Sequence, residues 1–459
     1  MVGARHELAR AGHRGKPHHR ARGQQGVPRR GAKGNGLMRH EMDVTIDHVG
    51  ARGDGVAQAG DKRVYVPYTV PGDKATVRLG AALGDGFEAR VTTLQAQGPG
   101  RVTPPCKHFG ECGGCALQHW DGARYLAWKH DLVVTALKKR GLPLDGVEAI
   151  RAAQPRTRRR ADFTAIRREE DLVIGFNARG TNAVINLKEC HVVLPEIAAL
   201  LPALREALTA LLRPAEKAEI AVNALDQGLD VLIVTTAALG QGGRKRLAAL
   251  AEGLGVVRVS RRHPSEARAE TLVERARAHI TFGGIKVEAP PGAFLQATRD
   301  GEAALVEAVL AGAGAPKRVA DLFCGAGTFT FALAAKGAEV LAVDDAARLV
   351  QAVDQAAKAA KLARVTTRVR DLATKPVTPQ ELAGVDAVVF DPPRAGAQAQ
   401  ALQLAKSRVP TVLAVSCEPG TFARDAQILA KGGYKLKRVL PVDQFLWSPH
   451  VELAAVFKR

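Results

Sequence analysis

The chain has 459 residues, of which 46% are hydrophobic and 24% charged, a composition that is ordinary for a globular protein. No run of about 18 apolar residues occurs, and no apolar segment follows the basic N-terminus, so the sequence predicts neither a membrane span nor a secretory signal. Lys and Arg number 66 against 46 Asp and Glu, giving a net charge of +20 that favours a polyanionic partner, with nucleic acid first.

Residues 1–41 are rich in Arg, Gly, His and Gln and contain few large apolar side chains, so we predict a basic disordered tail. Residues 1–40 hold ten Lys/Arg and one Glu, which leaves about half of the excess charge for the remaining chain. The tail could be an arm that guides RNA or a dispensable extension. It could also precede the true start, for which Met38 and Met42 are candidates.

Residues 42–100 predict a small β-barrel. Apolar residues alternate with polar ones at Val44 and Ile46 and again at Val64 and Val66, and Gly- and Asp-rich turns separate these stretches. Short strands at this spacing are typical of the oligonucleotide-binding barrels, but a generic β-barrel fits the composition equally well.

Residues 101–290 predict a mixed α+β central domain, which ends at Pro290-Pro291-Gly292. Helical periodicity extends over 127–140 and 195–213, and strands are indicated over 218–236 and 270–288.

Residues 291–459 predict a doubly wound, Rossmann-like α/β domain, because apolar strands alternate regularly with helical segments. The predicted strands are 318–323, 339–343, 386–390 and 411–416. In such a domain, ligands bind beyond the carboxyl ends of the strands.

The first of these strands runs into a glycine-containing loop that we interpret as a cofactor site. Gly325 and Gly327 allow a ligand to approach the backbone closely, and Asp344 ends the next strand, where an acidic side chain can hold ribose hydroxyls. Asp371 is a second acidic residue at a strand end. The third glycine of a dinucleotide site is missing, since residue 330 is Thr. The alternative is a tight turn without a ligand.

The last two strands of this domain are followed by residues that could perform chemistry. Asp391 follows one strand, and Cys417 follows the next, where a helix N-terminus could lower the pKa of its thiol. Glu452 precedes a C-terminal apolar strand and could act as a base if it lies near the thiol. A nucleophile and a base fit methylation of uracil C5, whereas each residue alone would more often be inert.

Four motifs together resemble the class I S-adenosylmethionine-dependent RNA uridine-C5 methyltransferases, which make 5-methyluridine in ribosomal and transfer RNA. The resemblance covers nearly all of residues 42–459. The motifs are Cys106-x5-Cys112-x2-Cys115, Asp391-Pro392-Pro393-Arg394, Ser416-Cys417-Glu418-Pro419 and His450-Val451-Glu452.

The resemblance implies roles for individual residues. Cys417 would be the nucleophile and Glu452 the base. S-adenosylmethionine would be bound by side chains from several strand ends, namely Gln296, Phe323, Thr328, Asp344 and Asp391. Residues 42–100 would be a TRAM domain, an RNA-binding barrel. Four positions, Thr298, Asp344, Glu418 and Gly420, depart from the residues usual in the family. Asp344 replaces a Glu at the ribose position, and the other three put the choice of substrate in question more than the mechanism.

Cys106, Cys112, Cys115 and Cys190 are candidate metal ligands, because four thiolates suit either zinc or an iron–sulfur cluster. Three clustered cysteines and one remote one favour a cluster over two paired zinc hooks. The resemblance likewise implies a [4Fe–4S] cluster, to which we assign a structural role.

The arginines at 156 and 158–160 are candidate phosphate contacts, or else a solvated face. We expect a monomeric, cytoplasmic enzyme that binds RNA and no membrane, with 23S rRNA as the first candidate substrate and tRNA as the second. A non-catalytic RNA-binding protein built on the barrel and the cluster is the competing hypothesis.

Overall fold

The structure, a computed structural model, describes residues 41–459, so the predicted tail lies outside the described residues except for its last position. Within that range, no helix has both the length and the apolarity required to cross a membrane.

The N-terminal strands form a six-stranded sheet in the order β1-β5-β6-β4-β3-β2. The apolar alternation identified in the sequence explains the fold, since Val44, Ile46, Val64 and Val66 all point into one small core. The strands are β1 (Glu41–Thr45), β2 (His48–Val49), β3 (Gly55–Ala59), β4 (Lys62–Val66), β5 (Lys74–Leu83) and β6 (Gly86–Ala96).

A long helix, α1 (Gly122–Lys138), follows, and a short strand, β7 (Arg151–Ala152), comes after it. The helix begins earlier than predicted because Asp121 caps it, accepting a hydrogen bond from the backbone N of Arg124 at 3.0 Å. Trp128, on this helix, is buried and donates to the carbonyl of Val49, which ties α1 to the N-terminal sheet.

The central segment forms a second six-stranded sheet, in the order β13-β12-β11-β10-β8-β9, and a separate hairpin of β14 and β15. Its elements are β8 (Arg160–Arg167), β9 (Leu172–Gly175), α2 (Pro195–Ala199), α3 (Leu201–Thr209), β10 (Lys217–Ala224), β11 (Leu229–Thr235), α4 (Gln241–Ala249), β12 (Val256–Arg262), β13 (Glu270–Glu274), β14 (His279–Phe282) and β15 (Ile285–Glu288).

Three stretches in this segment have the predicted element type but are divided into more than one helix or strand. The predicted helix 195–213 is divided at Leu200, two residues before Pro202, which has no N–H to continue a helix. The predicted strand 218–236 is the hairpin of β10 and β11, which turns before Gly228. The predicted strand 270–288 is β13, β14 and β15, of which the last two join at Gly283-Gly284, both with positive φ.

The C-terminal segment confirms the predicted doubly wound α/β class. Its elements are α5 (Arg299–Ala313), β16 (Arg318–Leu322), α6 (Thr328–Ala335), β17 (Glu339–Asp344), α7 (Ala347–Ala359), β18 (Val365–Val369), β19 (Ala387–Phe390), α8 (Gln398–Lys406), β20 (Thr411–Ser416), α9 (Pro419–Lys431), β21 (Lys435–Asp443) and β22 (Glu452–Lys458).

These strands form an eight-stranded sheet in the order β18-β17-β16-β19-β20-β22-β21-β7. Strands β16 to β20 are parallel, whereas β22 runs antiparallel to both β20 and β21. The edge strand β7 comes from residues 151–152, so the sheet includes residues from within the predicted central domain, 101–290. The predicted domain limits remain predictions.

A buried ion pair joins α1 to the end of β21. The ammonium group of Lys129 donates to the carboxylate of Asp443, which also accepts from the hydroxyl of Tyr125 at 2.8 Å. Lys129 and Asp443 are fully shielded from solvent. Because each charge satisfies the other, removal of one leaves its partner charged and buried.

We therefore expect Lys129→Met to lower the free energy of unfolding by about 3–5 kcal/mol, since Asp443 would lose its counter-charge. Urea denaturation near neutral pH measures this change. Lys138→Met, on the exposed side of the same helix, is the matched control and should change stability by no more than about 0.5 kcal/mol. Equal effects of the two substitutions would contradict the assignment.

Candidate active site

Strand direction gathers the candidate residues at one edge of the C-terminal sheet. The parallel strand β17 ends at Asp344, and β16, β19 and β20 end one residue before Phe323, Asp391 and Cys417, respectively. Strand β22 runs the other way and therefore begins at this edge, with Glu452. The last cross-strand pair of β20 and β22 is Ser416 with Leu453, so one further step of the register places Cys417 opposite Glu452.

The loop after β16 forms an open cradle. Gly325 and Gly327 have φ values of 53° and 92°, in the left-handed region that favours glycine. The backbone N of Gly325 donates to the carboxylate of Asp344 at 2.9 Å, which joins the two strand ends. A Cβ atom at Gly325 would meet no atom within 4 Å. The loop therefore borders free space, as a cofactor requires. Thr328 is the first residue of α6, directly after the loop.

Several carboxylates surround this cradle. Burial raises the pKa of Asp321 to about 7, and the negative charges of Asp391 and Asp344 add to the effect. Burial and the charge of Asp344 also raise the pKa of Asp345. Asp371 behaves differently: hydrogen bonds, first of all from the Thr374 hydroxyl, lower its pKa. This excess of negative charge favours a cationic ligand.

An apolar surface completes the cradle. Val369 is the partner of Asp344 across β17 and β18, and 54% of it is exposed, which is unusual for a large apolar side chain at a strand end. Free space, carboxylates and an exposed apolar side chain together fit S-adenosylmethionine, which carries a sulfonium charge, ribose hydroxyls and an adenine ring.

An unbroken chain of hydrogen bonds connects the cradle to Glu452. The Gln296 amide donates to Asp391 at 3.0 Å, and its oxygen accepts from the Gln444 amide at 2.7 Å. Gln444 Nε2 also donates to the Glu452 carboxylate at 2.9 Å. The structure thus brings together Gln296, Asp391 and Glu452, which are far apart in the sequence.

Burial controls the charge state of both carboxyl groups in this chain. It raises the pKa of Asp391, and the hydrogen bond from Gln296 opposes the rise. Burial and the charge of Asp391 raise the pKa of Glu452, and the hydrogen bond from Gln444 opposes that rise. Two negative charges are therefore disfavoured here at neutral pH.

The expected lowering of the Cys417 pKa was wrong. Burial, together with the negative charges of Glu452 and Asp391, raises the pKa of this thiol to about 12. Arg394 acts in the opposite direction. The sequence showed the helix that follows Cys417, but it did not show that two carboxylates face the thiol.

His450 lies just outside the strand, since β22 begins at Glu452. Burial lowers the pKa of His450 to about 4, and the cations Arg394, Lys129 and Arg158 contribute. The imidazole is therefore neutral at neutral pH.

The predicted phosphate contact at Arg159 was wrong. Its side chain is fully buried and pairs with Glu302, while its Nε donates to the Gln296 carbonyl at 3.0 Å. Arg159 therefore supports the backbone that carries Gln296. Arg160 packs its guanidinium 4.9 Å from the ring centre of the exposed Phe294, and so remains a candidate for RNA contact.

The four candidate ligand cysteines line one cavity of about 430 Å³, and all four are free thiols. Burial raises the pKa of Cys106, Cys112 and Cys115, with smaller contributions from the neighbouring cysteines. Within residues 41–459, however, no group of three or more Cys, His, Asp or Glu side chains has the spacing for a single metal ion. Iron–sulfur binding remains a prediction.

Comparison with known proteins agrees with this geometry. A family model described as tRNA (Uracil-5-)-methyltransferase matches residues 124–459. The chain belongs to this family. It is therefore an S-adenosylmethionine-dependent RNA methyltransferase that acts on uracil C5, and the non-catalytic hypothesis is not retained.

Relatives of this uracil-C5 methyltransferase match almost its whole length. An uncharacterized RNA methyltransferase of Brucella suis biovar 1 is 44% identical, over 91% of this chain and 97% of the relative. The 23S rRNA (uracil(1939)-C(5))-methyltransferase RlmD of Chromohalobacter salexigens is 33% identical, over 91% of this chain and 89% of the relative. The Pyrococcus abyssi tRNA (uracil-54, C5)-methyltransferase, solved with S-adenosyl-L-homocysteine, shares the fold, with a TM-score of 0.68 and 20% sequence identity. The match covers 91% of this chain and 100% of that structure.

Two residues of the uracil-C5 methyltransferase site, Gln444 and Arg394, could not be assigned their roles from the sequence. Gln444 belongs to none of the motifs, because an amide between two strands carries no local signal. Arg394 was visible in its motif, but its effect on the Cys417 thiol depends on the packing of β19 against β20.

The high pKa of Cys417 predicts slow alkylation. We expect iodoacetamide to modify Cys417 slowly at pH 8 in the RNA-free enzyme, since little thiolate is present. Glu452→Gln removes a charge that raises the pKa and should increase the rate several-fold. Peptide mass spectrometry measures the rate.

The control for this measurement is Glu418→Gln. Glu418 adjoins Cys417 in sequence, but its carboxylate caps α9 at Gly420. An acceleration by Glu418→Gln as large as that by Glu452→Gln would contradict the assignment.

Proposed function

We propose that this enzyme methylates C5 of a uridine in 23S rRNA through a covalent bond between Cys417 and uracil C6, with Glu452 as the base that removes the C5 proton. The observation that carries the proposal is the cross-strand position of Cys417 and Glu452 at the edge where the cradle lies.

Cys417 and Glu452 would act one after the other. The thiolate of Cys417 adds to C6, and the electron pair of the C5–C6 bond becomes available at C5. S-adenosylmethionine would supply the electrophilic methyl group to C5, with cleavage of its bond to sulfur and release of S-adenosylhomocysteine. Glu452 then takes the C5 proton, the C5–C6 double bond re-forms, and the bond from C6 to the sulfur breaks. Arg394 favours the thiolate that starts and ends this sequence.

Support for ribosomal RNA comes from the relatives. The C. salexigens enzyme, whose name specifies 23S rRNA, is 33% identical over most of both chains. The structural relative named for tRNA is only 20% identical. We therefore place 23S rRNA first and tRNA second, and we propose a cytoplasmic site of action.

We also propose that Cys106, Cys112, Cys115 and Cys190 hold a [4Fe–4S] cluster. The four thiols share one cavity, and a cluster spreads its ligands over four irons, so the thiols stand further apart than around one ion. The absence of single-ion spacing in the described residues is compatible with such a cluster. Arg158 lines the same cavity and supplies a positive charge beside the cysteines.

The role that we propose for the cluster is structural. The segment around Cys106 already contacts the segment around Cys190: Lys107 N donates to Glu189 at 2.8 Å, and Lys188 N donates to His108 at 2.9 Å. Four metal–thiolate bonds would reinforce this connection.

We retain the TRAM assignment for the N-terminal sheet as a proposal, supported by its six strands. Residues 41–100 hold six Lys/Arg and eight Asp/Glu, so the positive charge that attracts RNA lies elsewhere in the chain. We infer that this sheet contributes to RNA binding by shape rather than by net charge.

Covalent trapping tests the mechanism. RNA with 5-fluorouridine at the target retains its fluorine at C5, so the adduct cannot eliminate. We expect the wild-type enzyme and Glu452→Gln to form a complex that survives denaturing electrophoresis, and Cys417→Ala to form none while still binding S-adenosylmethionine in equilibrium dialysis.

Paired substrates in the same assay test the RNA target. Fluorinated 23S rRNA fragments should be trapped, and fluorinated tRNA should not. Trapping by Cys417→Ala would refute the covalent mechanism, and trapping of tRNA alone would refute the proposed target.

Metal analysis tests the cluster. Protein purified anaerobically should be brown and contain about four irons per chain, and Cys190→Ala should lose most of them. Cys324→Ala is the matched control, because Cys324 lies in the cradle loop rather than in the cysteine cavity, and it should retain its iron. One zinc and no iron per chain would refute the proposal.

A further inference from the structure

We propose that Gln444 is the positioning residue that orients the Glu452 carboxyl group and favours its ionised form, which removes the C5 proton. The inference rests on the proposed role of Glu452 as the base. Gln444 would touch neither the RNA nor S-adenosylmethionine and would act through Glu452.

The three hydrogen bonds of Gln444 fix the orientation of its amide. The oxygen accepts from the backbone N of Ala297 at 3.0 Å, so the amino group must point the other way. The two hydrogens of that group are then directed to Glu452, at 2.9 Å, and to Gln296, at 2.7 Å. Gln444 is almost completely buried, so water does not compete for these bonds.

The backbone of Gln444 is held as firmly as its side chain. Asp443, on one side, is bound by Lys129 and Tyr125 of α1. The carbonyl of Phe445, on the other side, accepts from Lys129 at 3.0 Å. A helix outside the sheet therefore anchors both neighbours of Gln444.

The packing around Gln444 leaves it little freedom. Gly301, in the first turn of α5, lies so close that a Cβ there would come within 2.9 Å of the Gln444 side chain. Gln444 therefore cannot shift toward α5 without a clash.

The charges around Glu452 explain why such a donor is needed. The ionisable groups that face Glu452 are Asp391, after β19, and Cys417, after β20. Both carry negative charge when ionised, and Arg394 is the cation beside Cys417. A neutral amide that donates to Glu452 stabilises its carboxylate without adding a charge that would bind Asp391 instead.

The role of Gln444 concerns only one step of the reaction, the removal of the C5 proton. Addition of Cys417 and transfer of the methyl group do not require the base, whereas removal of the C5 proton does. Loss of Gln444 should therefore slow elimination and leave formation of the adduct nearly unchanged. It should also move the pH dependence of elimination upwards, because Glu452 would ionise less readily.

The test uses Gln444→Met, which keeps the length of the side chain and removes its donors. We expect trapping on 5-fluorouridine RNA at a rate within about twofold of wild type. Turnover on ordinary RNA, measured as tritium released from [5-³H]uridine, should fall on the order of tenfold at pH 7, and its half-maximal pH should rise by about one unit.

Gln400→Met is the matched control. The Gln400 amide is also fully buried, but it bonds the backbone of Val377, away from the site. This variant should keep the wild-type pH profile. Gln444→Glu is a second variant in case Gln444→Met does not fold. It retains an acceptor for Ala297 and places a carboxyl group beside Glu452, so the pH profile should again move upwards.

Two results would overturn the inference. One is a wild-type pH profile in folded Gln444 variants, and the other is a loss of trapping in proportion to the loss of turnover, which would indicate a merely structural role. Failure of the wild-type enzyme itself to trap fluorinated RNA would instead overturn the proposed function, and with it this inference.

Discussion

The antiparallel insertion of β22 between β20 and β21 is the constraint on which the site depends. A parallel sheet delivers only the carboxyl ends of its strands to the ligand-binding edge. A strand that runs in the opposite direction starts at that edge, and the pairing of Ser416 with Leu453 fixes where it starts. Glu452 therefore faces Cys417 because of backbone hydrogen bonds rather than contacts between their own side chains.

The loop between β21 and β22 links this edge to the rest of the molecule. Lys129 and Tyr125 hold its beginning from α1, and the carbonyl of Trp447 accepts from the backbone of Ala116 and Leu117, next to Cys115. The cavity of the four cysteines also reaches Phe445 and His450 in this loop. Order in the cysteine segment and the position of Glu452 therefore depend on a shared stretch of backbone.

Burial of acidic groups sets the chemistry of the site. Asp321, Asp391 and Glu452 all have raised pKa values, and burial is the largest cause for each. Amide and hydroxyl donors offset part of this rise in pKa without introducing a counter-charge. Gln296 donates to Asp391, Gln444 to Glu452 and Thr330 to Asp321. The pKa values of these carboxyl groups therefore lie closer to neutral pH than usual, as suits groups that exchange protons.

The sequence was sufficient to predict those strands and helices whose pattern of apolar residues lies within a few neighbouring positions. Period-two alternation identified strands such as β4, whereas apolar runs that alternate with helical segments identified β20 and the doubly wound class. The cradle glycines, Cys417 and Glu452 could be selected because they stand in compact motifs next to strand ends. The break at Leu200 was missed because the apolar pattern continues across it, whereas the break at Gly283-Gly284 did carry a local turn signal.

Only the tertiary structure decided how these residues act on each other. The pKa of Cys417 rises instead of falling, since the effect of two carboxylates from other strands cannot be deduced from the helix that follows the cysteine. Arg159 is buried against Glu302 rather than exposed to phosphates, and Gln444 connects Gln296 to Glu452. The sequence by itself determined which residue types stand at strand ends, because that information lies within a few positions of the chain. Their charge states and partners depend on burial and on long-range pairing, which only the folded chain defines.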